Sequence, residues 1–311
     1  MNFDLQNLEK ALQHDRFPLL MALIPASEKD SALYRSLTLP DLPEIKVHLF
    51  DQVASTNTIA WNLLRQGEPA GTVVIALAQT AGRGQWGHQW QSSVGGLYLS
   101  LGIRPNLPVE QAGQLTLSSA WGVAMALRDW GIPVQIKWFN DLVIGDRVIN
   151  ERGIHDRNSI RKLAGILAET RIAQGRIQQA VIGVGMNWQN SVPEVGINLQ
   201  TVLATQNQNI LTNSSPLKPS IDSLEILAAT VLQGLRLGYT YWQRVDSFVC
   251  AAAYEKLLVN LGQTIAFQGK RGVISGITPT GQLRVQVEGT IGSEICLPPG
   301  AVSLGYGAEG E

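Results

Sequence analysis

Short apolar runs rich in β-branched residues alternate along this chain with stretches of helical spacing. Thr72–Ala78 and Gly96–Ile103 carry apolar side chains at nearly every position and read as strands buried on both faces. Lys46–Phe50 predicts a strand running into Ser55-Thr56-Asn57, then a helix from Thr58 to about Arg65 with Ser55 or Thr56 as its N-cap. Residues 113–130 place Ala120, Val123, Ala124 and Leu127 on one stripe, which predicts a helix lying on a sheet. Val134–Trp138, Lys162–Glu169 and residues 180–188 predict three further strands. The polar stretch from Gly145 to Ser159 reads as a solvated loop. Residues 200–222, rich in Asn, Gln, Ser and Thr and poor in charge, read as a flexible loop. A helix is expected from Ser223, with Leu224, Leu227, Ala228, Val231 and Leu235 on one face. The first 40 residues predict one weakly amphipathic helix and a proline-containing linker, Leu39–Pro43.

From about residue 260 the pattern changes. Gln263–Phe267, Val273–Ile277, Gln282–Val287 and Ile291–Leu297 are short strand-like runs punctuated by Gly269, Gly272, Gly281, Gly289 and Gly292. Mixed strands and helices followed by a strand-only tail predict an α+β body with a mixed sheet and a small C-terminal β-barrel. The expected division is an N-terminal extension over 1–43, the α+β body over 44–258 and the barrel over 259–311.

Composition narrows the function classes. With 45% hydrophobic and 16% charged residues the chain is a compact folding one, and 311 residues suffice for a large domain and a small one. A net charge of −1 gives no general attraction to nucleic acid. Cys250 and Cys296 lack metal-type spacing and read as reduced thiols. No basic, then apolar, leader opens the chain and no apolar run is long enough to span a bilayer, so the expected compartment is the cytoplasm and no membrane partner is expected.

The candidate chemistry concentrates in four segments. Gln79-Thr80-Ala81-Gly82-Arg83-Gly84-Gln85-Trp86-Gly87-His88-Gln89-Trp90 is a glycine-rich loop between two buried strands. Glycines free the backbone to turn N–H groups inward, and such a nest with an arginine suits a phosphate or carboxylate. No helix follows it, as a dinucleotide fingerprint requires, and it has no Gly-Lys-Ser/Thr of a Walker A loop; a plain surface turn is the alternative. Lys137-Trp138-Phe139-Asn140-Asp141 ends a strand, and its Lys and Asp either share a pocket or form a solvated corner. In Arg161–Glu169, Gly165 admits a close approach, and alternation puts Lys162 on the face of Ala164 and Ile166, where it either meets an anion or reaches solvent. Gly183-Val184-Gly185-Met186-Asn187 runs a buried strand into two glycines and a polar side chain. His14, His48, His88 and His155 show no metal-ligand spacing, and neither a Gly-x-Ser-x-Gly elbow nor a Cys/His pair is present. The chain offers isolated cations and glycine nests, which are tools for binding and activating an anion.

Taken in order, Ser55-Thr56-Asn57, Gln79 to Trp90, Gly96-Leu97-Tyr98, Lys137 to Asp141, Arg161 to Glu169 and Ile182 to Asn187 resemble the biotin–protein ligase family, and the tail from Leu261 is similar to that family's SH3-like cap. The resemblance implies an ATP-dependent ligase that activates biotin as biotinyl-5'-AMP, with Mg²⁺ accompanying ATP. It then transfers biotin to a lysine of the biotin carboxyl carrier protein of acetyl-CoA carboxylase. By resemblance, Ser55, Thr56, Asn57 and Gln79 belong to the biotin site, and Gly82, Arg83, Gly84 and Gln85 to the loop folding over biotin and adenylate. Lys162 would contact carboxylate and phosphate oxygens; Lys137, Asn140 and Asp141 would line the nucleotide and acceptor-lysine side. Asn187 would approach the adenine and Trp90 would form a wall under the loop. Lys162, Arg83 and Asp141 are the expected catalytic residues; metal ligands are not assigned.

The chain departs from the family pattern at Gln85, where a second arginine is usual, at His88, where another basic residue is common, and at Phe139, which replaces a proline. The arginine that some relatives carry near Gly305 is missing. Three competing expectations follow: a non-catalytic biotin or adenylate binder, a lipoate or octanoate transferase, and a ligase that also represses transcription. The complete Gly-Arg-Gly and Lys-Leu-Ala-Gly segments with the barrel weigh against the second, and the short N-terminus and near-zero charge against the third. Dimerisation through a sheet edge is a family possibility.

Overall fold

The structure, a computed structural model, describes residues 3–13, 44–145, 160–213, 221–289 and 292–306. The linker Leu39–Pro43 and most of the polar stretch expected to be a loop, 146–159, lie outside the described residues.

Eight strands form one mixed sheet: β1 (Lys46–Val53), β2 (Thr72–Gln79), β3 (Leu97–Ile103), β4 (Leu107–Pro108), β5 (Gln135–Lys137), β6 (Asp141–Gly145), β7 (Ile160–Ala173) and β8 (Arg176–Met186). Their order is β1-β2-β3-β8-β7-β6-β5, with β4 pairing β8. The chain opens with α1 (Leu5–Gln13); only β1 and β2 run parallel, joined over the sheet by α2 (Thr56–Arg65), and the other pairs are antiparallel. A second, four-stranded antiparallel sheet of SH3-like type comprises β9 (Thr264–Phe267), β10 (Lys270–Ile277), β11 (Leu283–Val287) and β12 (Glu294–Leu297). The α+β architecture expected from the strand and helix pattern is the one found.

Alternation divides the large sheet into two faces. Val73 and Ile75 of β2, with Ile182, Val184 and Met186 of β8, enter the main core. That core is closed by α3 (Ala112–Asp129) and α5 (Leu224–Arg244). Val74 and Val181 face the other way and pack under Ala60 and Leu64 of α2. The stripe expected on α3 is an understatement, since every residue from Leu115 to Leu127 is buried. Besides meeting the sheet, α3 packs along α5. A Cβ on Gly122 would stand 2.1 Å from the Gly234 carbonyl oxygen, and one on Gly238 would stand 1.9 Å from that of Ser118. The small residues let the two backbones touch, and Trp121 stacks on Tyr241 at 4.5 Å beside the crossing.

Two expectations are corrected. Residues 199–213 are helical (α4, Leu199–Asn213), not a flexible loop. Asn198 starts that helix by accepting the Thr201 N–H at 2.9 Å, while Leu199 and Val202 are fully buried; a cap and two anchors outweigh a polar composition. The second correction concerns β7. Leu142 pairs with Ala164, and Val143 with Lys162, so Leu163 is an extra residue in the ladder. That bulge reverses the alternation. Lys162 therefore leaves the face of Ala164 and Ile166, which are in the core, and joins that of Gly165 and Leu167. The short helix α6 (Ser247–Glu255), capped by Asp246, was not foreseen.

Candidate active site

A cavity of about 680 Å³ opens on the α2 face of the large sheet. Its floor is built by register. Ser100 pairs with Gly183 and Gly183 with Leu167; Tyr98 pairs with Gly185 and Gly185 with Gly165. The two rows bring small residues side by side under the loop. A Cβ on Gly185 would lie 2.4 Å from Trp90 Nε1, one on Gly165 would lie 3.2 Å from the same ring, and one on Gly183 would lie 2.2 Å from Asn57 Oδ1. The strand glycines thus exist to seat Trp90 and Asn57. The buried Trp90 Nε1–H has no hydrogen-bond partner among the described residues.

One end of the cavity is neutral and fully wired. The Thr56 N–H donates to Gln79 Oε1 at 2.8 Å, and Gln79 Nε2 donates to Ser92 Oγ at 2.8 Å. The Ser100 hydroxyl donates to Asn57 Oδ1 at 2.6 Å and lies 2.8 Å from the Thr56 hydroxyl. Asn57 Nδ2 donates to Glu169 Oε2 at 2.8 Å. That same carboxylate oxygen receives Arg83 Nη2 at 2.9 Å and Trp61 Nε1 at 3.3 Å. Ser55, Thr56, Asn57 and Ser100 are all buried. Ser100 and Glu169 were not foreseen as site residues. Ser100 is a polar side chain in an otherwise apolar strand, which is the signal that could have found it; Glu169 lies in a polar run of β7 and carries no such signal.

The glycine loop is a narrow turn. Gly84 N–H donates to the His88 carbonyl at 2.7 Å and Trp90 N–H to that of Gly82 at 3.0 Å. These two N–H groups are spent inside the turn and form no open nest. Positive φ occurs at Trp86 and Gly87, not at the first two glycines. Gly82 serves close approach instead, since a Cβ there would meet Ser92 Oγ at 2.4 Å and the Trp90 carbonyl at 2.5 Å. At the tip, Trp86 lays its ring against Gly300, whose added Cβ would be 2.8 Å from it. Gln85 and His88 line the cavity.

The other end is charged. Lys162 Nζ is 2.7 Å from Asp141 Oδ1, and Lys137 Nζ is 3.8 Å from Asp141 Oδ2. The β5–β6 turn supplies Lys137 and Asp141, and Asn140 Nδ2 pins it to β7 by donating to the Ile166 carbonyl at 2.7 Å. Tyr306, from beyond the small sheet, donates its hydroxyl to Asp141 Oδ2. Its ring lies 4.3 Å from Lys137 Nζ and 5.9 Å from Lys162 Nζ, while Lys162 is also 5.3 Å from the Trp90 ring. Burial, and secondarily Lys162, lower the Lys137 pKa against the opposing pull of Asp141. Burial, then the Asp141 charge and the hydrogen bond to it, push the Tyr306 phenol well up, so it stays a donor. Of the charged side chains on this cavity, Arg83, Lys137 and Lys162 are cations and Asp141 is the carboxylate.

The structure thus gathers Ser55, Thr56, Asn57, Gln79, Arg83, Gly84, Gln85, Trp90, Lys137, Asn140, Asp141 and Lys162 around one cavity. Gly82 and Asn187 do not line it. Asn187 is buried behind the floor, donating to the Ile197 carbonyl at 3.2 Å and accepting from Asn190 at 3.0 Å. Its amide braces the segment after β8.

Residues 49–187 match the model of the Biotin/lipoate A/B protein ligase family. The bifunctional ligase/repressor BirA of Bacillus subtilis is 35% identical over 139 residues, which are 44% of this chain and 38% of that protein. The BirA of Escherichia coli is 33% identical over 257 residues, 79% of this chain and 72% of its own length. The chain belongs to the biotin/lipoate protein ligase family. The fold agrees: a biotin protein ligase from Aquifex aeolicus in complex with biotin and ATP superposes with a TM-score of 0.59 at 22% identity, over 83% of this chain and 97% of that one. Among the described residues, no helix of this family member is long and apolar enough to cross a membrane.

Proposed function

We propose that this protein is an ATP-dependent biotin–[acetyl-CoA-carboxylase] ligase. It forms biotinyl-5'-AMP and transfers biotin to a lysine of a biotin carboxyl carrier protein. The observation that carries the reading is the polarity of the cavity. A hydrogen-bonded end without net charge adjoins an end where two cations, Lys137 and Lys162, face one carboxylate. A ligand with a polar, uncharged head and an anionic tail fits that gradient, and biotin has a ureido ring at one end and a carboxylate at the other.

In the first step the biotin carboxylate attacks the α-phosphorus of ATP, forming a C(O)–O–P link as pyrophosphate leaves with the bond's electron pair. Two anions must meet, and the obstacle is their repulsion. Lys162 and Lys137 are held where that charge accumulates and are partly desolvated, so they stabilise it more than they would in water. Mg²⁺ enters as the ion carried on the ATP phosphates. Thr56, Asn57 and Gln79, fixed by mutual hydrogen bonds, hold biotin so that little ordering remains to be done at reaction.

In the second step the acceptor ammonium gives one proton to Asp141. The amine nitrogen forms the C–N bond, the C–O bond to phosphate breaks with its electrons going to AMP, and the second proton passes to water. Asp141 is the carboxylate on the cavity wall and fits this role by position. The chain division goes with this reading: an extension over 1–43, the biotin- and ATP-binding unit over 44–258 and an SH3-like cap over 259–311. So do a cytoplasmic location and partners limited to carrier protein, without nucleic acid or membrane; a homodimer is compatible with it.

Biotin-dependent ATP–pyrophosphate exchange with Mg²⁺, without acceptor, tests the proposal. Exchange with biotin and none with lipoate is the expected result. Biotin binding by calorimetry without exchange would instead identify an inert binder; exchange with lipoate alone would make it a lipoate enzyme.

A further inference from the structure

Tyr306 is a cavity residue that no sequence segment pointed to. It makes three separate contacts with the charged end. Its hydroxyl donates to Asp141 Oδ2, its ring covers Lys137 at 4.3 Å, and its carbonyl accepts the Ile160 N–H at 3.4 Å where β7 begins. Leu304, buried two residues earlier, fixes the approach of the segment. These contacts span a main-chain tie, a side-chain hydrogen bond and a ring face, so the tyrosine is placed from both ends.

The two oxygens of Asp141 are treated differently. Oδ1 is paired with Lys162 at 2.7 Å, whereas Oδ2 stands 3.8 Å from Lys137, beyond hydrogen-bonding reach, and takes the phenol proton instead. Both ammonium groups already pair with this carboxylate, and the phenol fixes the orientation of Oδ2 between them. Only the transfer step needs a proton acceptor, because adenylation moves no proton.

We propose that Tyr306 is a positioning residue for acyl transfer, fixing the orientation of the Asp141 carboxylate that takes the proton of the incoming amine. The inference rests on the biotin ligase reading. Its test separates the half-reactions in the full-length chain: pyrophosphate exchange on one side, and single-turnover transfer from preformed biotinyl-5'-AMP to a biotin carboxyl carrier protein on the other. Tyr306→Phe keeps the ring and loses the hydroxyl. It should slow transfer about tenfold, the size of one lost hydrogen bond, with the KM for carrier little altered, and slow exchange far less, by about twofold. Tyr306→Ala should be at least as slow in transfer.

Equal losses in both half-reactions would reduce Tyr306 to a structural prop and overturn the proposal, as would wild-type transfer by the phenylalanine variant. Tighter ATP binding and faster exchange in Tyr306→Ala would also overturn it, because the ring would then be an obstacle in the anion site. If the unmutated chain is silent in both assays, the biotin reading fails and this proposal with it. If it is active while Tyr306→Phe equals it, only this proposal fails.

Discussion

The two ends of the cavity are ordered by opposite means. At the neutral end the polar side chains bond one another: Gln79 with Thr56 and Ser92, Asn57 with Ser100 and Glu169. Such a network is rigid before any ligand arrives, because removing one member strands another in a buried place. At the charged end Lys137, Lys162, Asp141 and Tyr306 satisfy one another, yet positive charge remains in excess. That end is stable as it stands and better satisfied with an anion. One end is built to recognise and the other to exchange partners during reaction.

Mutations that break the charged end should therefore cost chemistry, and those at the neutral end should cost affinity. Lys162→Ala should have the largest effect, lowering exchange by about 10²–10³-fold with biotin binding weakened far less; loss of both in equal measure would erase the distinction. Asn57→Ala leaves Ser100 and Glu169 each one partner short. It should weaken biotin binding about tenfold and lower the thermal unfolding midpoint, corresponding to about 1–3 kcal/mol of lost stability, while kcat at saturating biotin holds near wild type. Calorimetry and thermal unfolding decide that case.

Gln85→Arg sharpens the comparison in the other direction. It restores a charge-assisted contact on the loop and should slow biotinyl-5'-AMP dissociation by about tenfold, a gain of ~1–2 kcal/mol. An unchanged off-rate in a filter or stopped-flow assay would show that Gln85 already does what an arginine does. The smallest effect belongs to Trp86→Ala. Its ring rests on Gly300 yet is 68% exposed, so unseating the loop tip should speed adenylate release only about threefold, on the order of a surface contact.

Much of the site was legible in residue types, and what was missed has physical causes. The Gly-Arg-Gly loop, the Lys137–Asp141 turn and the Lys162 strand stand out because cations and glycines are costly inside apolar runs. The side on which Lys162 emerges depended on the bulge at Leu163, and a bulge changes register without changing composition. Helix α4 was hidden because Asn and Gln serve loops and exposed helix faces alike, and burial of Leu199 and Val202 decided it. Glu169 could not be assigned until three donors converged on one of its oxygens. Tyr306 was beyond reach altogether, since its meaning comes from contacts across 165 positions of chain. Asn187 is the reverse case: a polar residue at the end of a glycine strand suggested a ligand contact, and in the structure its amide bonds the neighbouring loop.

The contact between Tyr306 and Asp141 also sets an order in time. A ribosome delivers the walls of this cavity from Ser55 onward, and the tyrosine comes last. The neutral end needs nothing beyond β8, whose Gly183 and Gly185 seat Asn57 and Trp90, so on the proposed function a growing chain holds biotin once that sheet is in place. The lysine pair receives its aromatic cover only when the segment past the small sheet has emerged. A nascent chain of this protein would be a receptor for the vitamin before it is competent to hand it on.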